Sequence, residues 1–160
     1  MTRDQSPITL KAVTEADKEF LLRVYEASRE IELAMAPWSA EQKRVFVAHQ
    51  FAAQDNHYRE HYAGASFDLI IFAGEPAGRL YVHRGDQQIE ILDITILPEY
   101  RNRGIAKSLV GEIINEASRS GRSVVIYIES FNPSQKLFRQ LGFKLVGGDD
   151  IVGRFEWTTS

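Results

Sequence analysis

The chain has 160 residues, 44% hydrophobic and 26% charged, with a net charge of −3 and no cysteine. This length and apolar content suit one globular domain with its own core rather than a disordered chain. The missing cysteines exclude disulfides, thiolate nucleophiles and cysteine-ligated zinc, and the acidic balance argues against nucleic acid, whose binders gain affinity by neutralising phosphate.

Residues 1–7, MTRDQSP, read as a short flexible tail. They lack an apolar signal core, and no later apolar run has membrane-spanning length, so a cytoplasmic protein with no membrane partner is expected. ITLKAV (Ile8 to Val13) alternates like a half-buried strand. Thr14, with Asp17 in the first turn, opens a helix carrying Phe20, Leu21, Val24, Ser28 and Ile31 at helical spacing. APWS breaks it. Ser39 and Gln42 have the spacing of a capping box, which starts a second helix through Val45, Phe46, His49 and Phe51. DNHYREHYAG continues or restarts helical structure as far as Gly64.

FDLIIFAG and AGRLYVHRG flank GEP and read as a hairpin. QIEILDITIL is a long β-branched strand ended by Pro98. Residues 104–120 form a helix with Ile105, Leu109, Ile113 and Ala117 on one stripe. RSVVIYIES is a buried strand, NPSQKLFRQLGF a short helix closed by Gly142, and KLVGG with IVGRFEWT a last antiparallel pair. The order β-α-α-β-β-β-α-β-α-β-β implies a mixed α/β (α+β) single domain over residues 1–160. Its sheet is mostly antiparallel, with one right-handed parallel crossover and helices on both faces.

The chemistry concentrates in EYRNRGIAKSLV. The first N–H groups of a helix have no partners within it and point where the macrodipole is positive, so an anion placed there satisfies donors and charge together. Gly104 and Ala106 leave the backbone approachable, while Arg101, Arg103 and Lys107 add positive charge and Ser108 a hydroxyl. A solvated basic turn is the plain alternative. A P-loop would need Gly at the positions of Ala106 and Arg101, and GxGxxG is absent from this turn, so neither a nucleoside-triphosphate nor a nicotinamide site fits.

RNRGIA (Arg101 to Ala106) resembles the Q/R-x-x-G-x-G/A pyrophosphate loop of the GNAT superfamily of acetyltransferases. LDITILPEYRNRGIAKSLV resembles that family's strand, turn, loop and helix. NPSQKLFRQLGF (Asn132 to Phe143) resembles its second motif. The likeness spans residues 8–157 in element order and 89–143 in motif detail.

The resemblance implies acetyl-CoA as co-substrate, its pyrophosphate on the amides of Arg103, Gly104, Ile105, Ala106, Lys107 and Ser108, with Arg101 and Asn102 shaping the loop. Asn102 stands where many members have Gly. Ile94, Thr95 and Ile96 would face the pantetheine and acetyl group, and the Ile96 N–H would polarise the thioester carbonyl. Asn132 and Ser134 match positions that hold the pantetheine arm, although Asn132 also suits a helix cap. Glu90 matches, by its spacing before the loop, the strand glutamate that serves as base in the histone-modifying branch. Asp93 and Glu129 are the runners-up, and each of the three also reads as an ordinary surface carboxylate. Phe138 replaces the tyrosine that protonates the departing thiolate in many members, leaving Tyr127, Tyr100 or water for that role.

In HYREHY, His57 and His61 share a helix face, but no third ligand accompanies them, and no metal is expected. Trp38, Phe46, His57, Tyr58, His61 and Tyr62 read either as a wall over an acceptor site, as the resemblance implies, or as a structural aromatic cluster. His49 and His83 stand alone. The expected function is transfer of acetyl from acetyl-CoA to a primary amine, small molecule or peptide, by direct attack. A non-catalytic acyl-CoA-binding regulatory module and a small anion-binding domain are the alternatives. A homodimer is a further expectation by analogy with the family.

Overall fold

The computed structural model describes residues 7–159. Of the tail expected at residues 1–7, all but Pro7 lies outside the described residues. The elements in chain order are β1 (Ile8–Ala12), a 3-10 turn (Glu15–Asp17), α1 (Lys18–Ser28), α2 (Glu30–Met35), α3 (Ala40–His61), β2 (Ser66–Phe72), β3 (Glu75–Arg84) and β4 (Gln88–Ile96). A second 3-10 turn (Pro98–Tyr100) leads to α4 (Ile105–Ser120), β5 (Ser123–Glu129), α5 (Gln135–Gln140), β6 (Lys144–Gly148) and β7 (Val152–Trp157). The strands form one seven-stranded sheet in the order β1-β2-β3-β4-β5-β7-β6. The β4–β5 pair is parallel, while β1–β2, β5–β7 and β6–β7 are antiparallel. The mixed α/β class and the single parallel crossover agree with the sequence pattern.

The chain divides into two compact units. The first holds the described residues up to Arg79 together with Thr95–Arg101. Its core is Leu21, Tyr25, Leu33, Val47, Phe51 and Leu69, with Phe20, Phe46 and Ile71 packed against it. Each such side chain contributes about 1.5–3 kcal/mol when fully buried. The Tyr25 and Phe51 rings meet edge to face at 5.9 Å. Arg79 is also buried in this unit, donating from Nη2 to Gln54 Oε1 at 2.7 Å.

Several expectations shift here. The N-terminal helix breaks at Arg29, whose φ/ψ of −109/9 ends α1, and the Ser28 hydroxyl donates to the Tyr25 carbonyl at 2.6 Å, competing with the helical ladder. Ile31 therefore leaves the apolar stripe and is exposed, and Leu33 is buried instead. The Ser39–Gln42 capping box forms, with Ser39 N–H on Gln42 Oε1 at 2.9 Å and Gln42 N–H on Ser39 Oγ at 3.1 Å. From it α3 runs unbroken and ends at His61, before Gly64. It carries Val45, Phe46, His49 and Phe51 as expected; Phe51 is buried with Val47, Phe46 packs on the core, and Val45 and His49 face solvent. β1 is an edge strand with exposed Leu10 and Lys11 rather than a half-buried one.

The β2–β3 turn is Ala73–Gly74, not Gly74–Pro76. Both residues have positive φ (50° and 87°), as a type I′ turn requires, and Glu75 and Pro76 already belong to β3. Further along β3, Gly78 lies so close to Thr95 that an added Cβ would sit 2.1 Å from the Thr95 carbonyl oxygen.

The second unit holds Leu80–Ile94 and the described residues from Asn102 on. Ile105, Leu109, Val110, Ile113 and Ala117 of α4 are buried, as the stripe predicts, together with Val124, Val125, Ile126 and Ile128 of β5. Phe138 and Phe143 pack perpendicular to each other at 5.1 Å. Glu116 of α4 clamps Arg84, with Nε–Oε2 at 2.6 Å and Nη2–Oε1 at 3.1 Å, and also takes Arg122 at 3.3 Å.

Two substitutions test these backbone constraints by thermal unfolding. Gly78→Ala meets backbone that cannot retreat and is expected to destabilise by about 3 kcal/mol. Ala73→Asn places a residue tolerant of positive φ on an exposed turn and is expected to stabilise by about 0.5–1 kcal/mol.

Candidate functional site

The loop before α4 is built from two left-handed residues. Asn102 has φ 63° and Gly104 φ 77°, and among the described residues, its chain neighbours aside, no atom lies within 4 Å of where a Gly104 Cβ would stand. Asparagine is among the residues that tolerate this region, so the replacement of the usual Gly leaves the loop intact. Gly104 is the N-cap of α4 and contributes no capping side chain, and the first turn of the helix holds no acidic residue. The first helical bond runs from Ser108 N–H to the Gly104 carbonyl at 3.0 Å. The amides of Ile105, Ala106 and Lys107 therefore have no acceptor among the described residues. Lys107 and Ser108 are exposed beside them. These donors, the positive end of the helix and the bare Gly104 surface together suit a diphosphate.

The parallel pairing nearby stops early. β4 and β5 pair from Gln88↔Ser123 to Ile91↔Ile126, yet β5 continues to Glu129 and β4 past Leu92. Only Gly121 and Arg122 separate α4 from β5, so α4 runs antiparallel to that strand. Its N-terminus thus lies at the carboxyl end of β5, the end at which the pairing has opened. An extended chain placed in that opening finds backbone groups to bond. Beyond β5, Asn132 Oδ1 accepts from Ser134 N–H at 2.8 Å, so the capping role of Asn132 is realised locally.

Glu90 lies on β4 in register with Val125 of β5 and is half-buried. The Gly85 N–H bonds the Gln88 carbonyl at 2.9 Å across the β3–β4 turn, which sets His83 opposite Glu90. Burial raises the Glu90 carboxyl above its ordinary value of 4.5, and the charges of His83 and then Arg154 pull the other way. Tyr127 is 52% exposed and directly opposite Arg154 of β7. Phe138 is 1% exposed, a core residue with no proton to give. The alternative carboxylates Asp93 and Glu129 are also half-buried.

His83, which stands alone in the sequence, and Arg154, which no motif singles out, both act on Glu90. His83 reaches it across the short β3–β4 turn, and Arg154 from β7, far along the chain. The signal available was strand parity in VHRG and VGRFEW, which needs the pairing to be known.

In the first unit, the Arg101 guanidinium is a strut. Its Nε donates to the Ile96 carbonyl at 3.3 Å and its Nη1 pairs with Glu30 at 2.6 Å. Arg23 pairs with Glu99 in the same way at 3.1 Å. Thr95 and Ile96 close β4, both half-buried, and Tyr100 rests its ring against Phe72 at 6.1 Å. The residues expected to wall an acceptor lie on or next to α3 and make two separate clusters. Trp38 packs on Phe46 at 5.0 Å, while His57 stacks on His61 at 4.4 Å with Tyr58 and Tyr62 around it. His61 Nδ1 is 3.0 Å from the His57 carbonyl. Among the described residues no group of three or more His, Asp or Glu side chains is placed to hold a metal ion, and no helix is long and apolar enough to cross a membrane.

The chain is similar to known proteins in sequence and in fold. Residues 21–143 match the model of the acetyltransferase (GNAT) family. The N-alpha-acetyltransferase RimI of Mycobacterium tuberculosis is 28% identical over 151 residues, covering 92% of this chain and 85% of that one. The fold matches the PaiA N-acetyltransferase of Thermoplasma acidophilum, solved in complex with coenzyme A, with a TM-score of 0.72 at 16% identity, over 95% of this chain and 99% of that one. It also matches RimL, a ribosomal L7/L12 alpha-N-protein acetyltransferase, with a TM-score of 0.66 at 20% identity, over 97% and 92%. With the family model spanning most of its length, the chain belongs to the acetyltransferase (GNAT) family, N-acetyltransferases that take their acetyl group from acetyl-CoA.

Proposed function

We propose that Glu90 is the proton acceptor for a primary amine that is acetylated at the open end of the β4–β5 pair. The observation that carries this is the early end of the parallel pairing at Ile91↔Ile126, beside a helix N-terminus without a cap. In this reading the amides of Arg103–Ser108 hold the diphosphate of acetyl-CoA, with Arg101 and Asn102 shaping the loop. Ile94, Thr95 and Ile96 face its pantetheine, and Asn132 and Ser134 match positions that hold the pantetheine arm. Acetyl-CoA supplies an acyl group already activated as a thioester.

An alkyl ammonium has no lone pair and must lose a proton before its nitrogen can attack. A half-buried carboxylate whose proton affinity is raised is better matched to that task than an exposed one. The Glu90 carboxylate takes the proton, the new C–N bond forms at the carbonyl carbon, and the C–S bond breaks. The Ile96 N–H polarises the carbonyl oxygen. A thiol of pKa about 8.5 leaves without obligatory protonation, so Phe138 is compatible with turnover. Tyr127, exposed at the same end of β5, is a candidate donor. The second reading, an acyl-CoA-binding module without chemistry, is favoured only by Phe138 at the usual tyrosine position. Acetyl-CoA assayed with a panel of amines separates the two by release of free thiol, and no release with any amine supports the module. The acceptor is an amine of a small molecule or a protein.

The loop assignment makes a binding prediction. Coenzyme A at 100 times its Kd should raise stability by about 2.7 kcal/mol, seen as a thermal shift. Lys107→Glu puts a carboxylate in the first turn of α4. That charge favours the helix dipole but repels a diphosphate, so the unliganded Tm should hold while affinity for coenzyme A falls tenfold or more. Equal affinity in the variant would remove the diphosphate from this helix.

Glu90→Gln is expected to lower kcat by about 10²–10⁴, with partial recovery at high pH where the amine deprotonates unaided. In the wild type the acid limb of the kcat/KM profile should lie above the ordinary carboxylate value of 4.5. The stability sign is opposite to the activity sign. Because folding raises this pKa, the folded state holds the proton more tightly, and stability falls as pH rises through the shifted value. The glutamine variant removes that cost, so its Tm at pH 7 should equal or exceed the wild type's.

A further inference from the structure

We propose that Arg154 is a specificity residue that receives a carboxylate carried by the acceptor close to its amine. The inference rests on Glu90 as the proton acceptor and names the class of molecule that reaches it. Strand register supplies the geometry. Glu90 pairs with Val125, and Val125 pairs with Glu156, so these three form one row across β4, β5 and β7. Tyr127 pairs with Arg154, which forms the next row toward the open end on the same face. With strands about 4.8 Å apart and about 3.4 Å per residue, the Glu90 and Arg154 backbones are roughly 12 Å apart. A glutamate and an arginine side chain reaching inward over that span leave room for a small group bearing both an amine and an acid.

Arg154 is half-buried, and among the described residues its guanidinium makes no hydrogen bond or ion pair. It is close enough to Glu90 to favour the ionised carboxylate, yet the two do not pair. Five N–H donors held half out of water without acceptors are costly to leave unmatched. A carboxylate satisfies two of them in a bidentate fork, the geometry arginine matches best. The exposed Tyr127 ring beside it offers an apolar flank to the carbon linking acid and amine. Glu90 and Glu156 on the deeper row disfavour a doubly charged phosphate more than a singly charged carboxylate. The carboxylate is either the main-chain acid of a free amino acid or an acidic side chain at the start of a peptide.

The test uses the full chain, acetyl-CoA and free-thiol release with matched amines. One arm compares free amino acids with their carboxamides. The other compares peptide amides that begin with Asp and with Asn. In at least one arm the acid should be preferred by tenfold or more in kcat/KM, chiefly through a lower KM. Arg154→Gln should bring that ratio close to one, and Arg154→Lys should restore part of it. If Arg154→Gln does not fold, the wild-type ratios decide alone. Acids and neutral partners used equally well would overturn the proposal and leave Arg154 as a counter-charge to Glu90 and Glu156. A ratio unchanged in Arg154→Gln would overturn it as well. Thiol release with no amine at all would instead defeat the acetyl-transfer reading, and the role of Arg154 would fall with it.

Discussion

The rest of the site depends on a parallel pairing that is not completed. Buried backbone N–H and C=O groups are nearly always satisfied, so strands in the middle of a sheet normally pair along their whole length. Here β4 and β5 are central neighbours, yet their pairing ends at Ile91↔Ile126. β5 compensates on its other edge, where β7 pairs with it from Val124 to Glu129. The strand is thus paired with β7 along its length, while its pairing with β4 ends at Ile126. The connection through α4 then brings an uncapped helix terminus to the same end, because a helix between parallel strands must run opposite to them. The opening and the helix terminus therefore lie at the same end of one β-α-β unit.

Electrostatics within the second unit divides its glutamates by task. Glu116 sits in the fork of Arg84 and takes a second contact from Arg122, and the hydrogen bond from Arg84 is the largest cause of its lowered pKa. Such a carboxylate stays ionised and is a poor proton acceptor. It ties α4 to β3 and to the turn after the helix, and its contribution is lost only as pH falls through the depressed value. Glu90 has the same chemistry in a different setting. Burial dominates, among the described residues no cation forms an ion pair with it, and its proton affinity rises. Partner geometry separates a strut from the proposed base.

The first unit makes its contribution through packing. Leu21, Tyr25 and Leu33 of the two short helices meet Val47 and Phe51 of α3 in one core with Leu69. Arg23 and Arg101 tie the same helices to the 3-10 turn after β4, through Glu99 and Glu30. These pairs are exposed, so each is worth at most about 1 kcal/mol and they act mainly to orient the turn.

Local chemistry determined much of this protein without help from the fold. The Ser39–Gln42 box, the α4 stripe of Ile105, Leu109, Ile113 and Ala117, the Gly104 cap and the Pro98 stop are written in residues close together in the chain, and they formed where expected. The loop proposed to hold the coenzyme is equally local, because a helix terminus needs only its own amides and a small residue to accept an anion. What lay beyond reach involved partners far apart in sequence. The face of α3 that is buried, at Val47 and Phe51, is selected by neighbours from α1, α2 and β2. The setting of Glu90 is dominated by burial in the sheet, and the second of its two neighbouring cations, Arg154, comes from β7, far along the chain. Periodicity within one strand tells which residues share a face. The strand that lies next to it, and therefore which charges face one another, is decided by tertiary structure, since hydrogen-bonded register is a property of two segments and not of either alone.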